Sequence, residues 1–333
     1  MMFSSFVEQY TLDIKTRIKA NTWQTKEHII RTKLIPYFGR LKMCNITAQQ
    51  VITWQNELTN FKDKSGKTYS PDYLKTVHND FPRISRKAIR IVQYKGNNRL
   101  NMLKEESISK GYAGEFENFL KYIDAIIPSS EEISLALREK KSAYPSIAIR
   151  EAVANAIIHQ DFSITGAGPI IEIFDNRVEI TNPGTPLVDI KRIIDNPPRS
   201  RNEKLAELMR RLRICEELGT GWDKIAISCE LKQLPAPKIN LYEESTKVTL
   251  FAEMPFTNIS PEDKLWACYL HACIKQVQSE QLTNSSLRER FGLPSTSAGS
   301  ISRLIKEAVA SKVIKPLDPD TAPRYMKYLP YWA

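Results

Sequence analysis

The stretch from Ala148 to Ser163 constrains this chain more than any other. It is rich in alanine, holds no glycine or proline, and is preceded by Pro145; the next proline is Pro169. That composition predicts a helix with a proline start signal. At about 100° per residue, Ile149, Val153 and Ala156 share one face, which should pack inward. Glu151, Asn155, Ile158 and His159 share another. Glu151 and Asn155 lie one turn apart, so their side chains are neighbours. A carboxylate beside a carboxamide on an otherwise apolar helix is either a solvated edge or part of a site.

The following residues favour a site. Ile170 to Phe174 alternates like a strand, Asp175-Asn176-Arg177 reads as a turn, and Val178 to Thr181 resumes the alternation. Asn182-Pro183-Gly184-Thr185-Pro186 ends it, and Leu218-Gly219-Thr220-Gly221-Trp222 follows much later. With the runs Asn155 to Ser163 and Pro197 to Ala206, this order resembles the Bergerat ATP-binding domain of gyrase, histidine kinases and mismatch-repair ATPases. More closely, residues 81–333 resemble ATP-binding proteins described as RecG-like helicase C-terminal or Schlafen/AlbA-type regulators.

The resemblance implies ATP and Mg²⁺ as cofactors and assigns roles residue by residue. Asn155 would ligand Mg²⁺ through its carboxamide oxygen, a hard donor suited to that ion. Glu151 would orient or deprotonate the attacking water. Asn182 stands where the family usually has the Asp of an Asp-x-Gly that reads the adenine amino group, and Gly184 would permit close approach. Residues 195–217 would be a lid, with Arg199, Arg201 and Lys204 meeting phosphates. Gly219, Thr220 and Gly221 would offer backbone donors, with Trp222 where a small or aliphatic residue is commoner. His159 is expected to be a satisfied histidine near a helix C-terminus. No Gly-x-x-x-x-Gly-Lys-Ser/Thr occurs, so a P-loop helicase motor is unsupported.

The N-terminal segment reads as a helical bundle. Phe6, Tyr10, Ile14 and Ile18 recur near helical spacing. A second helix, 25–34, is closed by Pro36-Tyr37-Phe38-Gly39; a third opens at Ile46-Thr47, with Val51, Trp54 and Leu58 as its stripe. A Lys-rich loop from Phe61 to Tyr69 precedes a fourth, 73–78. Runs such as Leu34-Ile35-Pro36-Tyr37-Phe38-Gly39-Arg40 and Tyr69-Ser70-Pro71-Asp72-Tyr73 resemble the core-binding (SAM-like) domain of phage and transposon integrases. Lys62, Lys64 and Lys67 would then contact DNA phosphates, adding affinity without sequence choice. Recombinase chemistry is absent. The His-x-x-Arg at His28 to Arg31 lies inside this bundle, and Tyr325, Tyr328 and Tyr331 lack the required partners.

Residues 80–141 read as a connector, the remnant of an upstream α/β domain, with a strand and turn at 92–99 and an amphipathic helix at 115–127. Lys247 to Ala252 reads as a closing strand and Ile259-Ser260-Pro261 as a linker. Beyond it, helices at 264–277, 285–291 and 300–310 precede two candidate strands, 312–316 and 325–328. That is a winged-helix outline, with Ser300, Ser302, Arg303 and Lys306 on the helix that would meet DNA. Such a module also serves as a dimerisation surface, so a homodimer is an alternative partner.

The fold expected is therefore multidomain α+β: a helical bundle (1–79), the connector (80–141), a Bergerat-like α/β sandwich (142–258) and a winged helix (259–333). The net charge of +10 favours a polyanionic partner, nucleic acid first. No membrane-spanning run or signal peptide is seen, and Cys44, Cys215, Cys229, Cys268 and Cys273 lack paired spacing. A cytoplasmic protein with free thiols is expected. The function expected is a nucleotide-responsive DNA-binding transcriptional regulator with weak ATPase activity. The alternative is a DNA- or protein-binding module with a nucleotide-free Bergerat-like fold, derived from a mobile-element integrase fusion.

Overall fold

The computed structural model describes residues 2–15, 18–42, 46, 48–62, 66–70, 73–74, 76–77, 89–108, 112–134, 137–164, 167–197, 199–211, 214–215 and 221–333. The protein is mixed α/β, with an N-terminal helical region and a six-stranded mixed sheet. Among the described residues no helix is long and apolar enough to cross a membrane.

The N-terminal region holds α1 (Phe3–Ile14), α2 (Ala20–Ile29), α3 (Ile35–Phe38) and α4 (Ala48–Asn60). The buried stripe of α1 is Phe3, Val7, Tyr10 and Ile14, spaced four, three and four; Phe6 and Ile18 only flank it. Pro36 does not stop the second helix. A π-helical stretch, Ile30–Leu34, carries the chain into α3, so Pro36 falls in a first turn, where its missing N–H costs little. Phe38 packs between Phe3 and Trp54, with ring centroids 5.8 and 5.4 Å away, and Trp54 Nε1 donates to the Lys33 carbonyl. Thr47, the expected cap of the third helix, lies outside the described residues; of the expected fourth, 73–74 and 76–77 are described and helical, with Val77 buried in the same core.

The sheet contains β1 (Ile89–Tyr94), β2 (Met102–Ile108), β5 (Ile170–Ile173), β6 (Arg177–Pro183), β7 (Lys238–Tyr242) and β8 (Ser245–Phe251). Their order is β2-β1-β5-β6-β8-β7, and only the β1–β5 pair is parallel. The segment read as a connector thus supplies β1 and β2, and α5 (Tyr112–Ile126) joins the same core through Phe116, Phe119 and Ile123. It also holds a hairpin with no counterpart in the sequence reading, β3 (Ser129–Ser134) and β4 (Leu137–Ser142). The strand expected to close the sheet, β8, is interior; β7 forms the edge.

Alternation along the strands separates the two faces. Ile171, Ile173, Val178 and Ile180 join the core, which they share with α6 (Ser146–Ile158) and α8 (Gly221–Leu231). Each such buried side chain contributes roughly 1.5–3 kcal/mol. Glu172 and Glu179 stand opposite each other on the other face. Like charges so placed repel; Arg99 offsets this at 2.6 Å from Glu172, as do Arg177 and Lys247 at 2.7 and 3.2 Å from Glu179.

After β8, Ser260 caps α9 (Pro261–Val277) and Pro261 occupies its first turn, so the expected linker is a helix start. Thr283 and Ser286 form a capping box on α10 (Asn284–Arg290). Then come α11 (Ala298–Ala310) and a short antiparallel pair, β9 (Ile314–Pro316) and β10 (Tyr328–Pro330). The second strand begins where the sequence reading ended it; Pro323–Tyr325 is a 3₁₀ turn instead.

Candidate functional site

Helix α6 follows Pro145 and ends at His159, so Glu151, Asn155 and His159 recur every four residues along it. All three line one cavity of about 390 Å³. That volume lies within the roughly 300–1,000 Å³ of small-molecule sites. Glu151 is only 6% exposed, so the solvated-edge reading of this face is excluded.

The opposite wall is the N-terminus of α8. A β-carbon placed on Gly221 would stand 3.1 Å from Glu151 Oε2, and 3.3 and 3.4 Å from the amide atoms of Asn155. Glycine lets this helix end approach the pair without displacing either side chain. The first N–H groups of a helix lack intrahelical partners and carry partial positive charge, so this end of α8 suits an anion. Trp222 lines the same cavity, and its buried Nε1 has no hydrogen-bond partner. Gly219 and Thr220 lie outside the described residues.

The third wall is the end of β6. Asn182 is buried, and its Nδ2 donates to the Pro183 carbonyl at 3.2 Å. Only the nitrogen end can donate, so the Oδ1 end is left to accept. Gly184 follows at φ +105°, its N–H donating to Glu244 and its carbonyl accepting from Thr246 Oγ1 at 2.6 Å. A β-carbon here would lie 3.0 Å from that of Asp161.

The segment after Gly184 covers the cavity. Arg199 lines it and is exposed. Arg201 is engaged structurally: Nη1 lies 3.2 Å from Asp161 Oδ2, and Nη2 donates to the Thr185 carbonyl at 2.6 Å. Asn202 Nδ2 donates to the carbonyls of Ile158 and Gln160, pinning this segment to the end of α6. Lys204 stands on α7 (Glu203–Arg211), its side chain outside what is described. Burial, then the Arg201 charge, holds His159 below the usual histidine pKa, which favours the neutral ring.

Sequence reasoning missed Arg210, Cys215, Thr246 and Val248, which also line the cavity. Alternation along β8 would have put Thr246 and Val248 on the core face; nothing local marked Cys215. Burial raises the Cys215 thiol. Among the described residues no group of three or more His, Cys, Asp or Glu side chains could hold a metal ion. One acid and one amide as oxygen donors fit Mg²⁺, which usually retains waters and takes further ligands from substrate phosphates.

On α11, Ser302, Arg303 and Lys306 are exposed and Ser300 is half-buried, opposite the buried Ile301, Leu304, Ile305 and Ala308. Ser302 Oγ accepts from Asn284 Nδ2 at 3.0 Å, and Ser300 Oγ accepts from Arg303. Lys62 and Lys67 are exposed beyond α4, and Lys64 lies outside the described residues.

Two family models match. Residues 166–250 match "Putative ATP-dependent DNA helicase recG C-terminal", and residues 2–59 match "Phage integrase, N-terminal SAM-like domain". The chain therefore joins a RecG-like C-terminal ATPase-like domain to an integrase SAM-like domain. The first match takes in Asn182, Gly184 and Gly221 and begins after α6. No curated protein matches the chain. Among solved structures it is similar to the DIP2311 protein from Corynebacterium diphtheriae, at 12% identity and a TM-score of 0.49 over 94% of this chain. The chain spans 61% of that protein's length.

Proposed function

We propose that this protein is a nucleotide-responsive, DNA-binding regulator that takes Mg·ATP between α6, α8 and the end of β6. The approach of Gly221 to Glu151 and Asn155 supports this reading most directly. An acid, an amide and a side-chain-free helix N-terminus meet and together line the cavity, a combination of donors that suits a metal-bound triphosphate.

When bound, Mg²⁺ would neutralise phosphate charge. The Asn155 carboxamide oxygen would hold the ion, and Glu151 would accept a proton from the attacking water in slow hydrolysis. The Asn182 Oδ1 would accept from an adenine amino group, with Gly184 allowing the base close. Arg199 and Lys204 would meet phosphates, as would Arg201 once released from Asp161, and Gly219, Thr220 and Gly221 would donate backbone N–H groups. We assign the N-terminal helices and the final unit, α9 to β10, to DNA. We read the three helices and hairpin of that unit as a winged helix, a reading supported by their order and by Arg303 and Lys306 being exposed. The domain boundaries near residues 79 and 258 belong to this proposal.

One observation favours the second reading, a nucleotide-free scaffold: Arg201 is already engaged by Asp161 and the Thr185 carbonyl. Thermal denaturation with Mg·ATP separates the two. A ligand at 100 times its Kd adds about 2.7 kcal/mol of stability. Wild type should shift upward and Asn155→Ala should not; an equal shift in both, or none in wild type, removes the nucleotide reading. DNA binding should weaken steeply with salt; salt-independent binding, or none, argues for a protein partner.

A further inference from the structure

Helix α8 belongs to two cores at once. Trp222, Ile225 and Cys229 pack into the core beneath the sheet, whereas Ala226 lies in the core of the C-terminal unit with Ala267, Leu270 and Ile301. The helix has eleven residues, about 16 Å at 1.5 Å per residue. At its far end Glu230 Oε1 lies 2.7 Å from His271 Nδ1 on α9, and Glu230 Oε2 lies 3.9 Å from Arg290 Nε on α10. His271 Nε2 in turn meets Ser286 Oγ at 3.0 Å. His271 and Arg290 are 2% and 4% exposed, so Glu230 cannot move away without stranding a buried charge.

A second connection runs beside it. Ile193 lines the cavity, and Ile194 packs against both cores. Between Ile190 and Asp195, the Lys191 carbonyl accepts from Tyr269 Oη on α9. The Arg192 guanidinium lies 4.5 Å over the Trp332 ring, whose Nε1 donates to the same Tyr269 Oη. Two walls of the cavity thus continue as rigid pieces into the C-terminal unit. Close-packed contacts shift between discrete arrangements and do not stretch continuously.

We infer that filling the cavity is coupled to the state of the C-terminal unit through α8 and the 190–195 turn, each controlling the other. The nucleotide reading supplies only the identity of the filler. Coupling of this kind is reciprocal and typically 5–150-fold.

Hydrogen exchange on the full chain tests this with two fillers. One is Mg·ATP. The other is an S-ethyl mixed disulfide on Cys215, which lines the cavity, made with ethyl methanethiosulfonate in a Cys44→Ser background. Cys229, Cys268 and Cys273 are buried, which pushes their thiols up to about 12, 12 and 11, so Cys215 reacts first among these. Either filler should change exchange in α9, β9 and β10 by at least about fivefold. Glu230→Gln with Tyr269→Phe should abolish the distant change while α6 and residues 182–197 stay protected by the filler; Tyr269→Phe alone, which removes one hydroxyl, should weaken it. If the disulfide alone produces the distant change and Mg·ATP produces no change anywhere, the nucleotide reading fails and the coupling stands. Cavity residues protected by either filler, with residues 261–333 unchanged in wild type, overturn the coupling. So does an undiminished distant change in the double variant.

Discussion

Arg201 pairs with Asp161, Nη1 to Oδ2 at 3.2 Å, with side chains only 14% and 18% exposed. The pair joins the covering segment to the turn after α6. Arg201→Ala would leave the exposed Thr185 carbonyl to water and remove the charged hydrogen bond to Asp161. A hydrogen bond to a charged group is worth about 1.5–3 kcal/mol, and urea unfolding should show a loss of that size. Asp161→Asn should cost less and leave Arg201 free for a phosphate. If Mg·ATP affinity rises in Asp161→Asn, the arginine serves the ligand; if it is unchanged, the pair only fastens the segment.

Gly221→Ala should separate fold from function. Gly221 is not among the residues of positive φ, and replacing a helical glycine by alanine gains up to about 1 kcal/mol. The added carbon would meet Glu151 Oε2 at 3.1 Å, so the pair must give way by a few tenths of an ångström. Stability by thermal denaturation should hold or rise slightly while the Mg·ATP shift disappears. A variant that keeps the full shift would show that this approach is not part of the site.

Gly184→Ala should behave oppositely. At φ +105°, with a β-carbon 3.0 Å from that of Asp161, both backbone and space oppose the substitution. Strain of this kind costs on the order of 1–3 kcal/mol, so the denaturation midpoint should fall whether or not nucleotide is present.

Asp223 sets a pH dependence. Burial pushes its carboxyl up to about 6, and Oδ1 has no partner. The folded state then binds the proton more tightly than the unfolded chain, whose aspartate titrates near its ordinary value of about 3.9. The stability is fully present below the unfolded value and is lost as pH rises through about 6. The side chain is only partly buried, so solvent reduces the effect to on the order of 1 kcal/mol. Asp223→Asn should raise stability at pH 7 and flatten the slope between pH 4 and 6 in denaturant titrations. An unchanged slope would mean that another group governs it.

Local pattern carried much of this far. The α6 helix, the β5–β6 hairpin and the capped helices of the C-terminal unit all follow from periodicity and caps, which are properties of neighbouring residues. The pairing of Glu151 with Asn155 was legible because four residues make one turn. The burial of Glu151 was not, because it depends on α8, which meets the pair from far along the chain. Trp222 could be named from sequence, but its unpartnered buried Nε1 could not.

The chain alone determined the helix that carries Glu151 and Asn155, the hairpin after it and the helices of the C-terminal unit, and which acid and amide share a turn, since each is settled within a few residues. Tertiary structure decided that β1 enters the sheet parallel to β5, that Arg201 is held by an aspartate forty residues away, and that α8 serves two cores. Those are contacts between distant segments, chosen by shape and by the need to satisfy buried groups, and periodicity holds no record of them.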